Sequence, residues 1–543
     1  MRTPGVTAPS QVSASGATGP PGPRLGRAFR RLLGGLAGLL AAGVGLAAAE
    51  VVAAFVGPSS SPVVAVGEAA IALTPESVKS FAIRTFGERD KLALVAGTLV
   101  VLALYALVVG LVSLRSRWLG AAGIALFGLL GTVAAVTRPA GRTVDGLPSF
   151  VGAAVGIVAL LVLVAPLTAA RVDAGADVSR NPMTVGLDRR RFFVAAGMTL
   201  GAAVIAGGSG RLLQRRFEVA DERSRLTLPT PASPAAALPA GADLGTAVPG
   251  LTPLFTGNRD FYRVDTAISV PQIRPADYRL TMTGMFDSPR EYSLPDLYRR
   301  KDLIERDITL TCVSNEVGGM LAGSARWLGV PLGTFLRENG VRAESSQLVC
   351  RSVDGMTIGA PTRSALGVED AMLAFGMNGE PLPVDHGFPV RMVIPGLYGY
   401  VSACKWLTAI EATTFEAFDA YWVQRLWAGQ GPIKVESRID TPAASSTFAA
   451  GRRAIAGVAW AQTRGISRVE VRVDQGSWAE ARLSPEVGAD LWRQWVLPHD
   501  FRPGPHQISV RATTGDGELQ TEARADPFPA GASGWHTIQV DVR

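Results

Sequence analysis

Cys312 stands after an apolar run that includes Ile308 and Leu310, and just ahead of Val313-Ser314-Asn315-Glu316-Val317 and the pair Gly318-Gly319. A thiolate is a soft, strong ligand for a transition metal and also a nucleophile. The cysteine can therefore bind metal, attack an electrophile, or pack as a small buried hydrophobe. His386 lies five residues before Arg391, and Lys405 follows the turn of Gly396 and Gly399. An imidazole, a guanidinium and an ammonium together make a receptor for an anionic ligand, and a guanidinium held on a strand can grip phosphate bidentately. A cysteine hydrolase pairing Cys312 with His386 is the competing chemistry, since sequence distance does not prevent a spatial pair.

Cys312, Cys350 and Cys404 are the only cysteines, and no Cys-x-x-Cys occurs. A zinc ribbon and a cysteine-ligated iron–sulfur cluster are excluded. Two small buried thiols are the favoured reading of Cys350 and Cys404, and one disulfide between them is conceivable outside the cytoplasm, though spacing alone does not establish its geometry. Asp354, in Ser352-Val353-Asp354-Gly355, can accept a hydrogen bond from a ligand, and an Asp-Gly turn accounts for it equally well.

The motifs in this order and at this spacing resemble the sulfite-oxidase family of molybdopterin enzymes, over roughly Leu251 to Arg543. The resemblance extends to Phe261-Tyr262-Arg263, similar to the family's entry motif, with Asn258 just upstream. It implies that Cys312 is the one protein ligand to molybdenum. It further implies that Asn258, Tyr262, Arg263, Asn315, Asp354, His386, Arg391, Ala403, Cys404 and Lys405 hold the molybdenum-molybdopterin cofactor, Arg263 reaching the reacting centre with Cys312. The activity implied is two-electron oxygen-atom transfer on a small molecule, with electrons passing to or from a separate cytochrome or quinone-linked membrane protein. Sulfite-oxidising members carry a basic pair shortly after the Asn of the cysteine motif, where this chain has Glu316 and Val317. A less charged substrate than sulfite is the expectation, with a sulfite dehydrogenase as its rival. A non-catalytic membrane-anchored adhesion or binding protein with a vestigial enzyme domain is the alternative from another class.

Among the 543 residues, apolar composition concentrates in the first 210. Five apolar runs occur there: Leu32 to Ala49 (continuing past Glu50 to Val56), Leu92 to Leu111, Leu119 to Val136, Val151 to Ala170, and the shorter, glycine-rich Phe192 to Gly208. A spanning helix needs about 20 apolar residues, so the expectation is about five transmembrane helices. Arg24, Arg27, Arg30, Arg31, Arg115, Arg117, Arg171, Arg180 and Arg189 to Arg191 share one side, predicted cytoplasmic. Arg211, Arg215 and Arg216 run against that bias. Five spans then put the remainder outside the cytoplasmic (inner) membrane. Arg189-Arg190-Arg191 ahead of a mild apolar run resembles a twin-arginine export signal, which suits an enzyme exported with its cofactor. All four histidines lie beyond the apolar region, so no bis-histidine haem is expected among the spans. The net charge of +7 comes mostly from scattered Arg, which argues for membrane orientation and an anionic cofactor over nucleic acid.

The expected organisation is a basic N-terminus (1–31), a membrane region (32–208), a Pro/Ala-rich linker (209–250), an α+β molybdopterin domain (251–430) and a C-terminal immunoglobulin-like β-sandwich (431–543). Strand-like runs at Tyr278 to Met285, Ile308 to Val313, Gln347 to Ser352 and Val390 to Ile394 alternate with helical stretches at Leu294 to Lys301 and Val330 to Asn339. Beyond Gly431 the pattern has period two, as in Val469, Val471 and Val473. Trp460, Trp478 and Trp495 are expected in the core of that sandwich, and the resemblance implies a homodimer contact there.

Overall fold

The computed structural model describes residues 27–75, 78, 90–172, 182–214 and 219–543. Of the arginines read for orientation, Arg24, Arg180, Arg215 and Arg216 lie outside the described residues. The chain forms two compact units.

The first unit is helical and is drawn chiefly from α1 (Arg27–Val56), α3 (Asp90–Ser113), α4 (Arg117–Thr137), α5 (Leu147–Val172) and α6 (Pro182–Gln214); the short α2 (Pro62–Leu73) follows α1 in sequence. Four of its segments are long and apolar enough to cross a membrane: Ala28–Val56, Ala93–Ser113, Arg117–Thr137 and Thr143–Thr168. The fifth run is also helical, but its apolar stretch covers only Arg191–Ile205, interrupted by glycine and bounded by arginine. Glycines let these helices approach closely, as small residues do where no hydrophobic gradient drives association. A Cβ on Gly38 of α1 would stand 2.0 Å from Ala106 O of α3, and one on Gly45 2.7 Å from Gly152 O of α5. Glu50 accepts a hydrogen bond from the Ser61 hydroxyl at 2.5 Å.

The second unit holds two mixed α/β layers and two further sheets. One sheet runs β2-β1-β10-β5-β6: β1 (Arg279–Gly284), β2 (Glu291–Ser293), β5 (Gln347–Ser352), β6 (Thr357–Pro361) and β10 (Leu407–Thr413). The β1–β10 pair is parallel and the others antiparallel. The other runs β3-β4-β7-β8, with β9 on β7: β3 (Ile304–Thr311), β4 (Ala322–Pro331), β7 (Met372–Met377), β8 (Glu380–Pro381) and β9 (Arg391–Val393). Both helical stretches read from sequence are present in shortened form, Leu294–Tyr298 and Leu332–Glu338. The first is closed by a capping box between Ser293 and Asp296.

The C-terminal sheets run β11-β13-β17-β16, with β11 (Glu436–Thr441), β13 (Gly451–Trp460), β16 (Arg482–Leu483) and β17 (Arg493–Phe501), and β12-β19-β18-β14-β15, with β12 (Thr447–Phe448), β14 (Ile466–Val473), β15 (Ala479–Glu480), β18 (Gly504–Thr514) and β19 (His536–Val542). Val435, Ile439, Ile455, Val469, Val471, Trp495, Ile508, Val510, Ile538 and Val540 pack into one core between them. Strands β14 (Ile466–Val473), β18 (Gly504–Thr514) and β19 (His536–Val542) carry the period-two pattern. Two expectations are corrected. Trp460 is buried, but in the cluster that includes Tyr278, Val458 and Trp492, not in this core. Trp478 is not in this core: it lies half-buried on the outside, edge-on to Trp535 at 4.9 Å and under the guanidinium of Arg511 at 4.2 Å. An indole flanked by arginines at a sheet surface is stabilised by cation–π contact without full burial. Of the two arrangements open to Cys350 and Cys404, the structure has the favoured one: both are buried free thiols, and Cys350 Sγ approaches Met392 Sδ at 3.4 Å.

Candidate functional site

Strand β3 delivers Thr311 to the core, and Cys312 follows at its end, 8% exposed. Its N–H donates to Leu321 O at 2.9 Å, closing the loop between β3 and β4. Asn315 locks that loop from inside: its N–H donates to Cys312 O at 3.0 Å, and its Oδ1 accepts from Leu321 N at 2.9 Å. Burial pushes the Cys312 thiol above its usual range, partly offset by hydrogen bonds from Ser314. A nucleophilic cysteine needs the opposite shift. No hydrogen bond joins Cys312 to His386 among the described residues, which leaves the hydrolase pairing without geometry.

His386 and Arg391 come from the segment leading into β9. Gly387 between them sits at φ +108°, where a side chain is strained, and a Cβ there would lie 3.0 Å from Lys405 Cα. That close approach brings His386, Arg391 and Lys405 together. His386 Nε2 lies 3.0 Å from the carbonyl of Asn258, so this nitrogen carries the proton and donates. Burial and the neighbouring Arg391 push its pKa down to about 4, keeping it neutral.

Arg391 is 5% exposed and lies over the Trp327 ring at 5.1 Å. Its Nη atoms donate to His386 O at 3.2 Å and Ala403 O at 3.4 Å, and its Nε has no hydrogen-bond partner. Among the described residues no carboxylate forms an ion pair with it. Burial lowers its pKa to about 10. A buried cation without an anion is costly. Lys405 is paired: its Nζ donates to Asp265 at 2.7 Å and to Asp385 O at 3.2 Å, with burial lowering it to about 8. Arg263 donates to the same Asp265 at 2.8 Å and pairs with Asp385 at 3.3 Å.

Tyr262 stacks on Phe261 at 5.3 Å, and burial, then the nearby Cys312, raise its phenol well above the usual range. Its hydroxyl lies near Gly399, where a Cβ would stand 3.8 Å from it and 3.7 Å from Thr311 O. Three predicted residues are otherwise occupied. The Asn258 amide donates to Glu380 at 2.5 Å and its Oδ1 accepts from Asn378, so its carbonyl, not its side chain, serves the site. Asp354 Oδ1 accepts from Met356 N at 3.1 Å in its own turn. The Cys404 side chain points into the core, and its carbonyl accepts from Met392 N. Sequence reading missed Asp265, Asp385, Trp327, Tyr398 and Glu436. Asp265 alone carried a signal, two residues after Arg263.

No three His, Cys, Asp or Glu side chains converge on a metal-sized centre among the described residues. A metal at Cys312 would take most of its ligands from a bound group. The orphaned Arg391 Nε, the neutral His386 and the Lys405 ammonium fit such a group when it is anionic. Residues 267–422 match the oxidoreductase molybdopterin binding domain. The chain carries an oxidoreductase molybdopterin binding domain and is similar to sulfite oxidases over about half its length. Mitochondrial sulfite oxidase of Mus musculus is 29% identical over 327 residues, 51% of this chain and 59% of that protein. The Drosophila melanogaster protein of the same name is 31% identical over 326 residues, 49% and 55% respectively. The chain thus spans somewhat over half the length of these relatives. The solved sulfane dehydrogenase SoxCD of Paracoccus pantotrophus aligns at 22% identity and TM-score 0.47, covering 53% of this chain and 81% of that one.

Proposed function

We propose that this protein is a membrane-anchored oxidoreductase that moves an oxygen atom to or from a small extracytoplasmic substrate and exchanges electrons with a separate partner. The observation that carries the reading is Arg391: a buried guanidinium that, among the described residues, has no carboxylate paired with it and no partner for its Nε. A phosphate-bearing pterin would supply the missing anion, and bidentate binding would satisfy the orphaned donor.

When bound, molybdenum-molybdopterin supplies the two-electron oxygen-transfer chemistry. The chain's own groups hold and orient it. Cys312 is the protein ligand, set by the β3 end and the Asn315 lock. His386, fixed by Asn258 O in one tautomer, presents its other ring nitrogen without a charge. Lys405 and Arg263 face the same ligand with Asp265 and Asp385 holding their side chains in place, and the Ala403 and Cys404 backbone lines the approach. Tyr262, kept protonated by burial, can donate a hydrogen bond.

Glu316 and Val317 beside the Cys312 loop supply no cation, which favours a substrate less anionic than sulfite. The membrane region (32–208), linker (209–250), molybdopterin domain (251–430) and C-terminal domain (431–543) are the working division. Within it the C-terminal sheets are read as immunoglobulin-like and as a homodimer surface. A fifth span over α6, led by Arg189 to Arg191, would set the catalytic portion outside the inner membrane. The test is molybdenum content of the detergent-purified full chain by mass spectrometry. Near one molybdenum per chain, lost in Cys312→Ser or Arg391→Met, supports the reading; folded protein without molybdenum from a cofactor-making host would leave a binding protein in its place.

A further inference from the structure

Glu436 opens β11 (Glu436–Thr441), 121 residues beyond Asn315 in sequence, yet its carboxylate meets the Cys312 loop. It is 4% exposed. One oxygen accepts from the Asn315 amide at 3.1 Å and the other from the Tyr398 hydroxyl at 3.4 Å. Its charged neighbours are engaged elsewhere: Arg438 binds Asp440, Gly319 O and Thr252, and Lys434 donates to Gly531 O.

The connectivity gives this contact a purpose. Asn315 is wholly buried and uses every polar atom of its side chain on the loop or on Glu436. Its oxygen closes the loop through Leu321, and its nitrogen has one protein acceptor, Glu436. The adjoining Gly318 lies against the His536 ring, where a Cβ would stand 2.3 Å away, and Gly319 O is held by Arg438 at 3.0 Å. Among the described residues, three side chains of the C-terminal sheets thus bear on the ten residues after β3, and of these Glu436 reaches the residue that locks them. A buried amide stripped of its acceptor loosens the segment it organises.

We propose that Glu436 is a positioning residue for the Cys312 loop: through Asn315 it fixes where the thiol stands relative to Arg391 and Tyr262. In this way the C-terminal sheets complete the site without touching the cofactor. The catalytic importance of that position rests on Cys312 being the metal ligand; the mechanical link does not.

The link is read in the cofactor-free full chain, produced in a host unable to make the cofactor and purified in detergent. Alkylation of Cys312 by iodoacetamide is followed by peptide mass spectrometry, with Cys350 and Cys404 as internal reporters of global unfolding. Glu436→Met, which keeps volume and removes the acceptor, is expected to raise the Cys312 rate about tenfold, the factor a lost buried hydrogen bond allows. Glu436→Gln, which restores an acceptor, should stay within about twofold of the parent. Glu436→Ala carries the same expectation and serves if the Met variant labels all three cysteines. Equal rates in parent, Met and Ala variants, or equal acceleration in Gln and Met, would overturn the proposal. In the loaded protein, Glu436→Met should change the molybdenum(V) paramagnetic signal while Glu436→Gln leaves it. A thiol effect with no molybdenum in the parent would retain the loop link and remove the cofactor reading.

Discussion

Arg391 is where stability and function oppose each other. A guanidinium over an indole, satisfied by two carbonyls and lacking an anion, weakens the empty protein so that an anionic ligand can be held. Arg391→Met should therefore stabilise the cofactor-free chain by about 1–4 kcal/mol, the range for replacing buried charge with packed hydrophobe. The same substitution should abolish cofactor retention; a lower melting midpoint in the empty variant would contradict the argument. His386 gives a pH signature. Its folded pKa of about 4 lies below the unfolded 6.5, so the unfolded chain takes up the proton first on acidification. Stability from this residue is full above about pH 6.5 and falls as pH drops toward 4. His386→Gln should flatten that part of the melting-midpoint profile; an unchanged slope between those limits would refute the buried neutral imidazole. Cys312, His386, Arg391 and Lys405 were singled out in sequence by the order of motifs that carries the resemblance, and the structure brings the last three together about Gly387. Asp265 and Asp385, which hold the cations, and Glu436, which holds the loop, were not singled out. Carboxylates are common, and only the tertiary fold says which one a cation meets.

At the scale of elements, strand ends do the positioning: β3 for Cys312 and β9 for Arg391. Alternation and apolar runs predicted both strands, though β3 begins at Ile304, earlier than the apolar pattern, because Glu305, Arg306 and Asp307 pair along β4 with their side chains half-exposed. Trp478 was misread because a tryptophan in a period-two region looks like core until the flanking Arg472 and Arg511 are seen stacked on it. Gly387 is the hinge of the site. Gly387→Ala should cost about 1–3 kcal/mol in backbone strain and displace Lys405, so cofactor affinity should fall beyond what the stability loss explains. Binding by Gly387→Ala equal to the parent would mean that the Lys405 contact does not shape the site.

For the whole molecule, the apolar helices and the mixed α+β part were both legible from composition, because mean hydropathy and helix length are bulk properties. The number of spans was harder: α6 has a helix's length without a span's apolar run. The four long apolar helices predict that the full chain stays with the membrane fraction after an alkaline carbonate wash and is released only by detergent. Release by carbonate would contradict them. Close glycine contacts between α1 and α3 predict that Gly38→Leu lowers the melting midpoint in detergent without changing metal content, since the bulk it adds falls among helix backbones. Everything proposed for this site turns on Cys312 as the protein's ligand to molybdenum. X-ray absorption at the molybdenum edge, on the purified full chain and its Cys312→Ser variant, tests it most directly. With Cys312 as the ligand, the metal in the variant should have one fewer sulfur neighbour. An identical sulfur shell in both would contradict it.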